Sequence, residues 1–234
     1  MNTQEIIESI ATGVFTENPL TEEVQKWIAT DRTNQLRYIG LSGHIGSGKD
    51  YIANYIAKTV ERKCEVVKFA TKLNILVASI LGVDDLSLFQ DRTWKDKKQF
   101  VWNTPDINGD YNALRSARDI QKIVATIMRD INPDIWLDLL VKECTDHDTL
   151  YVISDLRYAN EFQFVQQNNG IVVFIENLQA AQNQHRKEAG IVHESERLVW
   201  DMHYGNVLPD YILNNNNYSN KQPLQDLLTF ISML

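Results

Sequence analysis

The chain has 234 residues and a mass of 27.0 kDa, room for one domain of ordinary size or one domain with a small appendage. Its 23 Lys and Arg against 31 Asp and Glu leave a net charge of −8, with a pI near 5.1. That balance argues against a general nucleic-acid binder, whose affinity is built from clustered positive charge. It leaves room for a small phosphorylated ligand, which needs only a few well-placed donors.

Residues 3–14 and 21–30 read as two short amphipathic helices split by Asn18-Pro19. They precede every candidate catalytic feature, so residues 1–35 are expected to form an N-terminal helical extension to a domain spanning 36–234. The N-terminus carries neither a basic region nor a signal-cleavage pattern. The most apolar stretch, Leu73–Val83, is about half of a membrane span. Cys64 and Cys144 lack metal-ligand spacing and cannot make a disulfide framework. A cytoplasmic protein with no membrane partner is expected.

Arg37–Ser42 reads as a strand, followed by the glycine-rich GHIGSGKD and a helix over Tyr51–Val60, whose apolar residues recur on one face. Glu65–Ala70 is strand-like and Leu73–Leu81 helical. Segment 84–112 is polar and aromatic, with Trp94, Trp102, Pro105 and the turn signal Asn108-Gly109. Helices are expected over 113–130 and 134–145, the second with Asn132 as N-cap and Pro133 at its first position. Thr149–Ile153 and Ile171–Ile175 are continuous β-rich runs of buried parallel strands, separated by a helix over 159–168 that stops at Asn169-Gly170. Tyr211–Leu213 reads as a last strand and Pro223–Met233 as a closing helix, with a low-complexity patch at Asn214–Asn217. Strands alternating with helices specify an α/β layered fold with a mostly parallel sheet of five strands.

Gly43 to Lys49 (GHIGSGK) fits the phosphate-loop pattern and sits between a strand and a helix, where such a loop must lie. Glycines let the backbone turn around an anion, N–H groups point inward, and the helix N-terminus adds positive dipole. Lys49 supplies a point charge for the β- and γ-phosphates. Asp50 stands where a Mg²⁺-binding hydroxyl is usual, and a carboxylate is a hard oxygen ligand able to serve directly or through water. Ser154-Asp155 follows the Leu150–Ile153 run, with Arg157 two residues on and Glu161 on the next helix. Ligands of open α/β sheets bind outside the carboxyl ends of strands. Asp155 therefore falls on the same edge as the loop and could hold Mg²⁺ or its water, while Arg157 offers a bidentate fork to a phosphate. On charge alone, Arg118 and Arg129 are solvated helix residues and Trp136 a core residue.

The string ISDLRYANEF, with GSGKD upstream and HESE downstream, resembles the deoxynucleoside monophosphate kinases of tailed phages. The likeness runs from about Tyr38 to the C-terminus. It takes in Phe69-Ala70, the series Arg118, Gln121, Arg129, Trp136, then Asp155, Arg157, Glu161, His193–Glu196 and Asp210–Asn214. Tyr51, Asn74 and Val124-Ala125 depart from the residues usual in that family. The resemblance implies a P-loop NTPase three-layer sandwich with helices on both faces of the sheet, an acceptor-binding insert over 84–130 and a lid over 177–197. It also implies ATP and Mg²⁺ as partners and a homodimer. Gly43, Gly46, Ser47, Gly48, Lys49 and Asp50 would cradle the ATP phosphates and the metal, with Arg186 joining them from the basic lid stretch His185–Lys187. Arg118, Arg129, Trp136, Asp155, Arg157 and Glu161 would contact or position the acceptor nucleotide, and Lys49, Asp155 and Arg157 would carry catalysis. Two other readings fit the loop: another small-molecule P-loop kinase, such as one acting on dephospho-coenzyme A, and a non-enzymatic nucleotide-binding module.

Overall fold

A computed structural model describes residues 36–101, 113–188, 194–217 and 219–234, with side chains placed in all of these except 186–188. They belong to one compact unit, Gln35–Leu234. The two helices expected at 3–14 and 21–30, Trp102, the Asn108-Gly109 turn and His193 lie outside the described residues.

The five expected strands make one parallel sheet. At its centre β1 (Tyr38–Ser42) pairs with β5 (Leu150–Ile153) on one side and β6 (Gly170–Glu176) on the other. β2 (Cys64–Val67) flanks β5 and β7 (Tyr211–Asn214) flanks β6, giving the order β2-β5-β1-β6-β7. The central runs are apolar at every position because both faces are covered. Ile39 and Leu41, with Val152, Ile171 and Val173, pack under α1 (Lys49–Thr59) and α9 (Gln222–Ser232). The alternate residues face the other layer, where Tyr38 meets Phe164 of α6 (Ala159–Gln167) at 5.2 Å. The result is a three-layer α/β sandwich.

The differences from expectation lie at element ends and in the segment after Leu81. α2 (Ala70–Leu81) starts three residues before Leu73. The cause is Asp155, whose two carboxylate oxygens accept the N–H groups of Phe69 and Ala70, each at 2.9 Å, and so hold the helix start. The stretch after Leu81 is more ordered than its composition suggests. A 3₁₀ turn at Leu86–Gln90 and α3 (Arg92–Asp96) lead into an antiparallel ribbon of β3 (Lys98–Val101) and β4 (Leu114–Ser116). The helix expected from 113 begins instead at Ala117, as α4 (Ala117–Ile131). Ser116 sets that start through a reciprocal capping box: its hydroxyl accepts the Asp119 N–H at 3.1 Å and the Asp119 carboxylate accepts the Ser116 N–H at 3.0 Å. Val77, Ala78, Phe89, Ile120 and Val124 give this insert a core of its own. Trp94 packs against Phe89 and Phe100, with ring centroids at 5.3 and 5.9 Å, and so covers this smaller core rather than the sheet.

α5 (Ile135–Val141) is shorter than the expected 134–145. Asn132 caps the turn ahead of it, accepting the Asp134 N–H at 3.0 Å, instead of the helix itself. α7 (Leu178–Glu188) and the first turn of α8 (Glu194–His203) occupy the expected lid segment, whose residues 189–193 lie outside the described residues. The asparagine run is a built turn: Asn214 Oδ1 accepts the Asn216 N–H at 3.1 Å, and Asn216 Oδ1 accepts the Leu178 N–H at 2.7 Å. Among the described residues no helix is long and apolar enough to cross a membrane.

Asn169, in the left-handed region at φ 52°, turns the chain out of α6 into Gly170. A Cβ on Gly170 would lie 2.4 Å from the carbonyl oxygen of Val165, a backbone atom with no room to retreat. Gly170→Ala should therefore destabilise the chain by about 1–3 kcal/mol through overpacking, measured by denaturant unfolding. A midpoint equal to wild type would show that the α6–β6 junction gives way freely.

Candidate phosphate-binding site

β1 delivers Gly43 to the carboxyl edge of the sheet. A Cβ there would stand 2.7 Å from the carbonyl oxygen of Ile175, so β6 leaves space for hydrogen alone. Gly48, at φ 98°, turns the loop into α1, and no side chain caps that helix end. The first N–H groups of α1 and its positive dipole end are directed at the loop. Lys49 lies back over the loop, its Nζ donating to the carbonyls of Gly43 at 2.6 Å and His44 at 3.0 Å. Burial, seconded by the charge of Arg157, pulls its ammonium down to about 7, against the opposing pull of Glu196, Asp50 and Asp155. Lys49 therefore lies within electrostatic reach of four other charged groups.

The loop is braced from behind by amides. Asn215 donates to the Ser47 carbonyl at 2.7 Å, and Asn177 donates to the Asn215 carbonyl at 2.8 Å. The Ile45 N–H donates to Gln184 Oε1 at 2.9 Å. Buried His44 packs on Trp200 with ring centroids at 4.3 Å.

The two candidate metal carboxylates differ. Asp50 is mostly exposed and pairs with Lys68 at 2.7 Å, while the Ser154 hydroxyl donates to it at 3.2 Å. Partial burial works against its charge, but Lys68 and Ser154 outweigh it and hold the carboxyl below its ordinary range. Asp155 is pushed up by burial, with the Ala70 and Phe69 N–H groups and the Arg157 charge pulling the other way. Both of its oxygens already serve the α2 terminus.

Glu161 faces inward. Its Oε2 accepts the backbone N–H groups of Arg157 at 2.8 Å and Tyr158 at 3.0 Å, and its Oε1 takes Arg129 at 3.0 Å. The Arg129 guanidinium also lies 3.7 Å over the Tyr158 ring. Arg157 gives one guanidinium nitrogen to buried Glu196. Burial pushes Glu161 up to about 7, even though the Arg157 N–H and the Arg129 charge favour its ionised form. Arg129, Arg157 and Glu161 are thus one cluster, and the charge of Arg157 is felt at Lys49.

The other candidates are spread out. Arg118 pairs with Asp96 on α3, in the insert. Trp136 is buried in α5, and its indole N–H is without a hydrogen-bond partner among the described residues. Arg186 lies in α7, its side chain outside the described set. Lys68, Gln184 and Asn215 contact the site without having been singled out from the sequence, where a lone amide gives no signal of its own. Glu196 was named there as part of HESE, and its contact in the site is Arg157. Cys64 and Cys144 are free thiols pushed up by burial to about 11 and about 12, so neither offers a thiolate nucleophile.

A scan of family models finds no match, and a search of curated proteins finds none either. Solved structures do align. Shikimate kinase from Acinetobacter baumannii, in complex with shikimate, superimposes with TM-score 0.41 and 15% identity, over 86% of this chain and 95% of that one. Dephospho-CoA kinase from Campylobacter jejuni gives 0.43 and 12%, over 85% and 98%. Shikimate kinase from Aquifex aeolicus gives 0.37 and 11%, over 83% and 96%. Likenesses this distant assign this chain neither substrate nor activity.

Glu161 generates a pH test. Its folded-state value of about 7 stands above the ordinary 4.5, so between these values the native state holds more protons than the unfolded one. Stability from this group is present below about pH 4.5 and is lost as pH rises through about 7. Glu161→Gln does not titrate and should lose that dependence. Unfolding free energies at pH 5 and 7.5 should show the wild type losing ground to the variant at the higher pH. An unchanged difference would mean that Glu161 is ionised throughout.

Proposed function

We propose that this chain transfers the γ-phosphate of ATP to a deoxynucleoside 5′-monophosphate, releasing ADP and the deoxynucleoside diphosphate. The observation that carries the reading is the convergence at one sheet edge of a glycine-rich loop, its Lys49, and the charges of Arg157, Asp50 and Asp155. The class of acceptor rests on the motif series from Arg118 to Glu196 and its likeness to the phage enzymes.

The acceptor phosphate has a second pKa of about 6, so its attacking oxygen is anionic at neutral pH and no general base is needed. Catalysis is then positioning and charge neutralisation. In this scheme the loop N–H groups and the α1 terminus bind the donor phosphates. Lys49 exchanges the carbonyls of Gly43 and His44 for phosphate oxygens, and the anion restores its proton. Arg157, with five N–H donors and one nitrogen on Glu196, presents its remaining edge to the acceptor or the transferring group. Glu161 acts through its neighbours, holding the Arg157 backbone and the Arg129 side chain in place.

The carboxylates present fit Mg²⁺, which is usually bound by one or two carboxylates together with substrate phosphates. Asp50 is the better donor, being exposed and ionised, while Asp155 would act only from the outer shell because it already holds a helix end. Bound there, the ion would neutralise charge on the phosphates.

The test is an acceptor screen: ADP release from MgATP with each deoxynucleoside monophosphate, with coenzyme precursors, and with no acceptor. Stimulation by deoxynucleotides alone is expected. Stimulation by a coenzyme precursor instead would replace the acceptor class, and binding without acceptor-dependent turnover would favour a non-enzymatic module. Within the same assay, Lys49→Met should fold with an unchanged unfolding midpoint yet lose at least ~10²-fold in turnover, as deletion of a preorganised charge does. Undiminished turnover in that variant would sink the phosphoryl-transfer reading.

A further inference from the structure

The chemistry leaves two buried side chains of the lid segment unexplained, Gln184 on α7 and Glu196 on α8, at 4% and 6% exposure. Their orientation is fixed by donors. The Ile45 N–H can only donate, so the Gln184 atom 2.9 Å from it is the carbonyl oxygen, which His44 Nδ1 also approaches at 3.3 Å. The amide nitrogen must then face Glu196, and it donates to Oε2 at 2.8 Å. The other oxygen of Glu196 receives Arg157. One unbroken path results, from the phosphate loop through an amide and a carboxylate to the arginine on the far side of the site.

A carboxylate this deep persists only when its lone pairs are met by a charge and by hydrogen bonds, and Arg157 and Gln184 supply both. The two residues lie on either side of segment 189–193. Alongside the packing of Trp200 on His44, these two side chains therefore tie α7 and α8 to both halves of the site.

We propose that Gln184 and Glu196 are positioning residues that set the placement of the Ile45 arm of the phosphate loop relative to Arg157, so that donor and acceptor groups come into line. This deepens the phosphotransfer reading and rests on it. Neither residue touches the reacting atoms. Gln184 acts through Ile45 and Glu196 acts through Arg157. Transfer between two bound phosphates is sensitive to such placement, since a shift of about 1 Å can cost about 10²-fold in rate.

The experiment uses the full chain and three variants, Gln184→Met, Glu196→Gln and the double. MgATP affinity is measured by calorimetry and kcat with the acceptor identified by screening. Acceptor-free ATP hydrolysis is a second rate, and thermal unfolding shows that each variant is folded at the assay temperature. Because the loop and Lys49 are intact, MgATP affinity should stay within about threefold of wild type while kcat falls about 10–100-fold. The double variant should be no slower than the slower single, since both changes cut the same path. A structural role would give losses that multiply and follow the unfolding temperature. Rates within twofold of wild type in either single variant, or multiplied losses in the double, would overturn the path alone. Failure of the wild type to bind or turn over MgATP would overturn the parent reading, and the path with it.

Discussion

Parallel pairing is the constraint on which the site depends. A strand that runs beside its neighbours in the same sense puts its carboxyl end on the same edge as theirs, and here all five strands do so. β1 ends in the glycine loop and β5 in Ser154 and Asp155. β2 is followed by Lys68, which reaches Asp50, and β6 by Asn177, which leads into α7. β7 is followed by Asn215, which holds the Ser47 carbonyl. Groups as far apart in sequence as 47 and 215 meet because the hydrogen-bond ladder leaves them no other edge.

The second organising element is the buried carboxylate. On a chain with net charge −8, the acids nearest the site are, Asp50 apart, engaged in holding backbone and arginine. Asp155 grips the start of α2, Glu161 grips the turn at 157–158 together with Arg129, and Glu196 grips Arg157. Each sets at least two donors against its desolvation, although burial still prevails at Asp155 and Glu161. Lys49, drawn down by burial, lies within reach of the charge of Glu196.

The sheet was legible because runs such as LYVI and IVVFI are apolar at every position, a pattern that only doubly covered strands need. The phosphate loop was legible because its geometry demands glycine and lysine at fixed spacing. Element ends were less so. The early start of α2 depends on Asp155, 86 residues from Phe69 along the chain, and no local pattern carries such a contact. The β3–β4 ribbon was hidden by short strands and polar composition, and its small core draws on residues from three separate segments. Gln184 and Asn215 were invisible as site residues, since an amide contributes by where the fold puts it. The run Asn214–Asn217, bland as a composition, is a turn in which each hydrogen bond has an address.

The bracing of the loop also ties a short motif to remote parts of the chain. The amides that hold the loop at Ser47 and Ile45 belong to Asn215 and Gln184, each more than 130 residues further along. A peptide of residues 43–49 would carry every glycine and the lysine of the pattern and neither of these amides. The scaffold of the loop is therefore a property of the assembled sheet edge, and the seven residues of the motif are only its front.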